Sequence, residues 1–529
     1  MPAWLRRLRP LRLALREAAG ARRLHRDENA PARQDRAFAA LVPPLARASH
    51  WAAVGLEPGI DYATFRRRLP LTTPAALAPQ VDRMRRGEAN VLWPGPCTRF
   101  VHSAGTATGE ARLLPVTDAL GEHFRHAHEA VLLHARLWSG RHGLLAAPHL
   151  FLGAPPAPTA APPPWPATDP FTLFGATAAA AEAGHRFLPG PPSAPAALWA
   201  NHLDAAAAAA AAAWPQAPGL LAGLPDQLAA FGQRVLAHAG RAGRPARHLR
   251  ELWPDLIGCL HAGLPLASCA AELRAVLGPG SLLQEVYAAV EGLFACQDSP
   301  RPEDGLRLIT GSGLFFEFLP WADHDPALPA SLGTRALPLE EVRPGVDYAL
   351  VVTTPGGLVR TLVGDLVRFT SVEPPRLLPI GRIEHQLTRF GEEVSERDLT
   401  TCLAGVCTRH GWNLVQFHVA SRPDEAAAAG LARGHHEWWV ELRAGTVATP
   451  TGPHLAQELD DALQGLNPGY AARRRTGKIS APVVRLVMPG VFATWLRAEG
   501  REGGFHRVPR SANDLRCAAP LARLTHFAD

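Results

Sequence analysis

Five short segments combine residue types that could handle a nucleotide and its phosphates. Ser103-Ala104-Gly105-Thr106-Ala107-Thr108-Gly109-Glu110-Ala111-Arg112 places hydroxyls and glycines between two apolar runs. Backbone N–H groups and hydroxyls in such a turn can close around phosphate oxygens, and Arg112 can neutralise their charge. The GKS/T ending of a Walker loop is absent, and a plain Ser/Gly turn is the alternative. In Tyr287-Ala288-Ala289-Val290-Glu291-Gly292, an acid followed by glycine at a strand end could hold Mg²⁺ against phosphates; an exposed turn glutamate is the alternative. Asp365, after Gly364, could accept both ribose hydroxyls or be a β-turn aspartate. Gly381-Arg382, followed by Phe390-Gly391-Glu392-Glu393, offers glycines for a hinge and a cation for nucleotide or pyrophosphate. Gly503-Gly504-Phe505-His506-Arg507 offers a second cation, usable from a mobile cap.

The surrounding pattern supplies elements to carry these segments. Residues 98–117 read as strand, Gly/Thr-rich turn and strand, and 118–138 as a helix with Leu120, Phe124, Val131, Leu132 and Leu137 on one stripe. A Pro-rich stretch, 154–170, reads as a loop. Residues 171–300 alternate Ala-rich helices with short apolar strands such as 256–260. Strands are expected at 306–310, 314–319, 348–353 and 366–370, then a polar, Gly-containing connection over 376–395. Strands at 437–442 and 483–487 flank a helix over 455–463. This predicts an α/β fold: a large N-terminal body (1–380) with a β-barrel-like portion, a hinge (381–395) and a small mobile α+β C-terminal cap (396–529). The tract Ala205–Ala213 reads equally as helix or insert.

Composition excludes several classes. The chain has 529 residues, 47% apolar and 19% charged, so a large core is available. Its net charge of +6 is a weak field at this length, and no basic block interleaves with aromatics, so no nucleic-acid partner is expected. Lys478 is the sole lysine, and the other basic residues are all arginine, a compositional bias rather than a phosphate-binding design. Seven scattered cysteines without a CxxC pair support neither zinc site nor disulfide framework. No apolar run is long enough for a membrane span, and a cytoplasmic monomer is expected. The Arg-rich N-terminus reads as an amphipathic first helix, with a transit peptide as the alternative. His123, His126, His128 and His134 read as a helix face, and Trp438-Trp439 as a strand.

Taken together, the five segments resemble, in order and spacing, the Gretchen Hagen 3 family of auxin-responsive acyl acid–amido synthetases, within the adenylate-forming superfamily. The resemblance also rests on Asn90 to Pro96, Leu252 to Leu256, His261-Ala262-Gly263, Phe315 to Pro320, Gly364 to Arg368 and Gly504 to Asp514, so it spans roughly 45–520. It implies that a small carboxylic acid is activated with ATP and Mg²⁺ as an acyl-adenylate and passed to an amino-acid amine. It further implies a phosphate loop of Ser103, Gly105, Thr106 and Gly109, with Arg112 in the place of the family's lysine. Glu291 would lie beside Mg²⁺, with Tyr287 near the adenine, Gly292 among the nucleotide-binding residues, Asp365 on the ribose, Arg382 at the hinge and Arg507 as the cap cation.

The sequence departs from the family where Ala104 and Ala107 replace hydroxyl residues, Val290 replaces Ser or Thr, Thr361 and Leu362 stand near the ribose-binding Asp, and Arg507 replaces lysine. A planar guanidinium and a compact ammonium meet phosphate differently. Two alternatives therefore stay open: a catalytically weakened nucleotide- or acyl-binding homologue, and an adenylate-forming ligase with a non-amine acceptor. Lys478, in Arg475-Thr476-Gly477-Lys478-Ile479, is the rival cap cation, some thirty residues before the cap motif. Glu317, between aromatics, could support an acyl pocket or be structural.

Overall fold

The computed structural model describes residues 9–26, 29–103, 113–152, 167–168, 186–187, 196–213, 218–263, 266–323, 333–424, 433–443, 448–499 and 508–525. Among these, one compact unit comprises the described residues of 9–103, 113–363 and 367–378, and a second those of 364–366 and 379–525.

The first unit begins with α1 (Arg9–Arg26) and α2 (Ala30–Ala46). Leu13, Glu17 and Ala21 share the buried face of α1. The Glu17 carboxylate accepts from Arg136 Nη1 (2.7 Å), Gly143 N (3.0 Å) and Leu145 N (2.9 Å), so this acid ties the amphipathic first helix down. Asp61 caps α3 (Tyr62–Arg68) by accepting from Thr64 N. The expected strand, turn and strand appear as β1 (Phe100–Ser103) and β2 (Leu113–Pro115), paired antiparallel. Thr117 then caps α4 (Asp118–Ser139), which ends at Gly140 with φ +69°.

The main sheet has eleven strands. β3 (His149–Phe151), β5 (Arg186–Phe187), β6 (Leu220–Gly223), β7 (Gly258–Ala262) and β8 (Leu282–Ala289) form its parallel part. It continues through β9 (Gly292–Cys296), β10 (Leu306–Leu308), β11 (Phe315–Pro320), β12 (Asp347–Thr353), β13 (Thr361–Val372) and β14 (Pro375–Arg382) in the order β11-β12-β13-β14-β10-β9-β8-β7-β6-β3-β5. Strands form in all four of the regions expected between 306 and 370, but they extend this open sheet. No barrel closes among the described residues, so the barrel-like expectation is corrected to a continuous mixed sheet.

Helices α5 (Ala196–Ala213), α6 (Pro225–Arg241) and α7 (Leu266–Leu277) share one core with the parallel strands. The alanine tract is thus helix: Ala207, Ala210 and Ala211 are buried in that core, with Phe231 and Val235 of α6 among its members. Two expectations need correction. Ala167–Thr168, placed in the Pro-rich loop, form β4, which pairs parallel with His102 and Ser103 because neither residue lacks an N–H; residues 153–166 and 169–170 lie outside the described residues. The start of the polar connection is strand β14, where Leu377 and Ile380 are buried and Arg376 is neutralised by Asp298 at 2.8 and 2.9 Å.

The second unit holds α8 (Glu396–His410), α9 (Gly452–Leu466), α10 (Pro468–Arg475), α11 (Val491–Ala498) and α12 (Ala518–Thr525). Its sheet has the order β17-β16-β15-β18, from β15 (Asn413–Pro423), β16 (Gly434–Arg443), β17 (Val483–Val487) and β18 (Ser511–Ala512). Successive strand side chains face opposite sides. Accordingly Trp438 joins a core with Leu403 and Leu459, while Trp439 joins another with Phe492 and Trp495. The tryptophan pair is a strand with both faces covered. Among the described residues no helix is long and apolar enough to cross a membrane.

Candidate active site

Tyr287, Glu291 and Gly292 lie on one hairpin of the first unit. Ala289 pairs with Gly292 across the β8–β9 ladder, leaving Val290 and Glu291 as its two-residue turn. Burial of Glu291 to 5% exposure separates it from an exposed turn acid. Tyr287 is edge-on to Phe294 at 5.1 Å, within the aromatic core of β9–β13. Gly292 is required by close approach: a Cβ there would stand 2.7 Å from Leu314 Cδ1 and 3.1 Å from His123 Nε2. Val290 is buried as well, so an apolar group fills the position where the resembling family carries a hydroxyl.

His123 of α4 holds this hairpin. Its Nδ1 lies 3.0 Å from the Ser312 carbonyl, and Leu293 N donates to its Nε2 at 3.0 Å. Only the tautomer with hydrogen on Nδ1 satisfies both bonds. Burial pushes its pKa down to about 4 against the opposing effect of the Ser312 carbonyl, so the ring stays neutral near pH 7. Sequence reasoning left His123 in a helix-face histidine group. The structure divides that group: His123, His128 and His134 are buried and His126 is exposed. The available signal was its place on the Leu120–Phe124–Val131 stripe.

A second buried polar cluster centres on Glu317, which the sequence left as structural or as support to an acyl pocket; its partner Arg360 was not singled out. All five guanidinium N–H donors of Arg360 are used. Nε and Nη2 donate to Glu317 Oε2 (2.9 Å) and Oε1 (2.7 Å), Nη1 to the Arg66 (2.9 Å) and Leu69 (2.6 Å) carbonyls, and Nη2 also to Gly333 O (2.6 Å). Tyr62 Oη adds a 3.1 Å bond to Glu317 Oε1. Burial, then the Glu317 charge, raise the Tyr62 pKa, so its phenol stays protonated. Glu317 on β11 therefore joins the start of α3, through Tyr62, to Arg360, the residue that precedes β13, and Arg360 in turn holds the end of α3.

In the second unit, Asp365 and Arg382 are brought together, with Nε 3.2 Å from Oδ1. Asp365 lies inside β13, not in a turn, next to Gly364 at φ +92°. Gly381 has φ +137°, and a Cβ there would lie 2.9 Å from Glu396 Cβ. Glu396 accepts from Arg382 N (3.3 Å) and contacts His385 Nδ1 (2.6 Å). Burial alone would raise its pKa, but His385, Arg510 and the Arg382 amide bring it down to about 2.

Gly105, Thr106, Gly109, Arg112 and Arg507 lie outside the described residues, and Ser103 is the last residue of β1. The segment after Arg507 is anchored within its unit. His418 Nδ1 bonds Pro509 O (2.7 Å), Ser511 Oγ donates to His385 O (2.6 Å), and Asn513 bonds Thr388 N, Arg389 N and Gln386 O. Lys478 is exposed just after α10. A cavity of about 720 Å³ in the first unit is lined by Arg16, Arg33, Arg36, His134 and Arg307 among others, and none of the sequence-predicted site residues lines it.

Comparison with known proteins agrees with this architecture. The GH3 family N-terminal, central and C-terminal domain models match residues 24–144, 307–382 and 397–516, in that order. A human GH3 domain-containing protein is 29% identical over 282 residues, 49% of this chain and 52% of its own. The probable indole-3-acetic acid-amido synthetase GH3.6 of Oryza sativa subsp. japonica is 27% identical over 318 residues, 56% of this chain and 62% of its own. The match to these two relatives thus spans about half to three fifths of their length. The solved structure of AtGH3.15 acyl acid amido synthetase in complex with 2,4-DB has the same fold, with TM-score 0.71, 19% identity and 95% of each chain covered. By its ordered match to all three domain models, the chain belongs to the GH3 family.

Proposed function

We propose that this protein is an ATP- and Mg²⁺-dependent acyl acid–amido synthetase for a small carboxylic acid and an amino acid. In the first step a substrate carboxylate oxygen attacks the α-phosphorus of ATP, the bond to the bridging oxygen breaks, and pyrophosphate leaves. In the second, the amine nitrogen attacks the acyl carbon, AMP departs and the amine loses a proton. Neither step needs a covalent enzyme nucleophile; both need phosphate charge neutralised and the reactants held in line.

The observation that carries this reading is the buried Glu291 on a hairpin fixed by His123, in a chain of this family. One carboxylate suits Mg²⁺, which keeps waters and phosphate oxygens in most of its positions. Glu291 would hold that ion, which when bound neutralises the phosphates. Ser103, Gly105, Thr106, Gly109 and Arg112 would cradle the phosphates. Tyr287 and Gly292 would border the adenine, and Asp365, oriented by Arg382, would accept the ribose hydroxyls. Arg507 would supply the cation that a cap of residues 396–529 brings in by turning about the 381–395 hinge.

ATP–pyrophosphate exchange over a panel of aliphatic, aromatic and hydroxy acids tests this, with Arg507→Ala and Lys478→Ala in parallel. Acid-stimulated exchange lost in R507A and kept in K478A is the expected result. The buried Val290 favours a second reading, a nucleotide- or acyl-binding protein with weakened chemistry. ATP binding without exchange for any acid would select it. Product mass with and without coenzyme A separates a ligase that uses a non-amine acceptor.

A further inference from the structure

The last residue of α8 and one face of α9 present a metal-type donor set in the second unit. His454 and Glu458 are spaced i, i+4 on α9, so both side chains project from the same face. His410 ends α8. The ligand atoms of these three residues all lie within 4.8 Å of one another, with His410 Nε2 3.3 Å from Glu458 Oε2.

The rings are already oriented. Trp412 stacks on His410 at 4.4 Å and 13°, while His454 stands edge-on to both, at 5.6 Å from His410 and 5.8 Å from Trp412. Trp412 is itself fixed by donating Nε1–H to Ala448 O at 3.1 Å. Below this group, Leu455 and Leu459 of α9 pack in one core with Leu403 and Val406 of α8, holding the two helices together. Arg409 donates to Glu458 Oε2 at 2.8 Å. His410 also sits at the negative end of the α8 dipole, which favours a cation.

We propose that His410, His454 and Glu458 bind one Zn²⁺-class dication, with water as fourth ligand, clamping the end of α8 to α9. Two imidazoles and one carboxylate suit Zn²⁺, whereas Mg²⁺ and Ca²⁺ call for all-oxygen shells. Tetrahedral ligands at zinc lie about 3.3 Å apart, so modest imidazole rotation closes the set. The site is independent of the adenylation reading and uses none of its residues.

The test is zinc titration of the untagged, chelator-treated full chain by calorimetry, with Co²⁺ absorption as a coordination signature. The expected result is one Zn²⁺ per chain, a zinc-dependent rise in Tm, and a Co²⁺ d–d band of four-coordinate intensity. His410→Ala and His454→Ala, checked for native circular dichroism, should each weaken binding about tenfold or more. Arg409→Ala should tighten it by removing a competing cation, and His142→Ala should leave it unchanged. No stoichiometric binding, or binding that survives both ligand substitutions, overturns the proposal.

Discussion

Arg360 is one of 54 lysine and arginine residues, and nothing in its neighbours marks it as one placed wholly inside the protein. It has φ +48°, and its guanidinium acceptors come from residues 27 to 294 positions away. Removing a buried ion-pair partner strands the other charge, at about 3–5 kcal/mol. Arg360→Met should therefore lower the urea unfolding free energy by about that amount, and adding Glu317→Gln should return part of it. A loss under about 1 kcal/mol for R360M would mean the pair is not the buried anchor described. His123 makes a different prediction. Its replacement by Phe leaves Leu293 N–H without its acceptor, and the loss of one buried hydrogen bond, about 1–1.5 kcal/mol, loosens the hairpin carrying Glu291. Acid-dependent exchange should fall about tenfold in H123F and hold in the exposed variant His126→Ala. The turn at Glu291-Gly292 was legible because an acid and a glycine stand in consecutive residues at a strand end. The role of His123 was not, because its partner is 170 positions away.

α8 begins with a reciprocal cap: Asp398 N donates to Ser395 Oγ (3.1 Å), and Ser395 N to Asp398 Oδ2 (3.1 Å). Ser395→Ala should reduce the stability of the second unit by about 1 kcal/mol, read as a shift in its chemical-denaturation midpoint. Ser395→Asp, which restores an acceptor, should recover most of it. Local signals of this kind are what made elements readable. The helix at 118–138 was read from its 3.6-residue stripe, and the structure places it at Asp118–Ser139, with Thr117 as its cap, Gly140 closing it and Leu137, counted in the stripe, exposed. The strands between 306 and 353 stood out as β-rich runs bounded by turn residues. β14 was hidden because its arginine looked solvent-facing; Asp298, 78 positions away, supplies the charge that lets Arg376 enter a sheet. β4 was hidden by the prolines around it. The expected barrel failed for a related reason: strand alternation says which face is buried but not whether the last strand closes on the first.

At the scale of the molecule, four histidines among the described residues are buried with pKa values pushed down to about 4, chiefly by loss of hydration: His123, His134 and His261 in the first unit and His418 in the second. Each stays neutral in the fold at a pH where the unfolded chain would take up a proton. Unfolding between these two pKa values therefore binds protons, and stability must fall with pH. It should be level above pH 6.5, decline from 6.5 towards 4, and flatten with respect to these groups below that. The slope is at most about 1.4 kcal/mol per pH unit for each histidine. Acids with lowered pKa values, such as Glu396, add their loss only below the ordinary carboxylate range, so they do not mimic the upper part of this window. Two compact units need not unfold together. With three of these histidines in the first unit, where burial also lowers His50 and His126, and one in the second, the first unit's transition should move at least about three times as steeply between pH 6.5 and 4.5. Urea unfolding followed at several pH values by hydrogen exchange, which assigns each transition to its unit, checks the ratio. Equal slopes would show that the burial of His123, His134 and His261 does not govern the acid response, and His134→Phe or His261→Phe should then leave the first unit's pH profile unchanged.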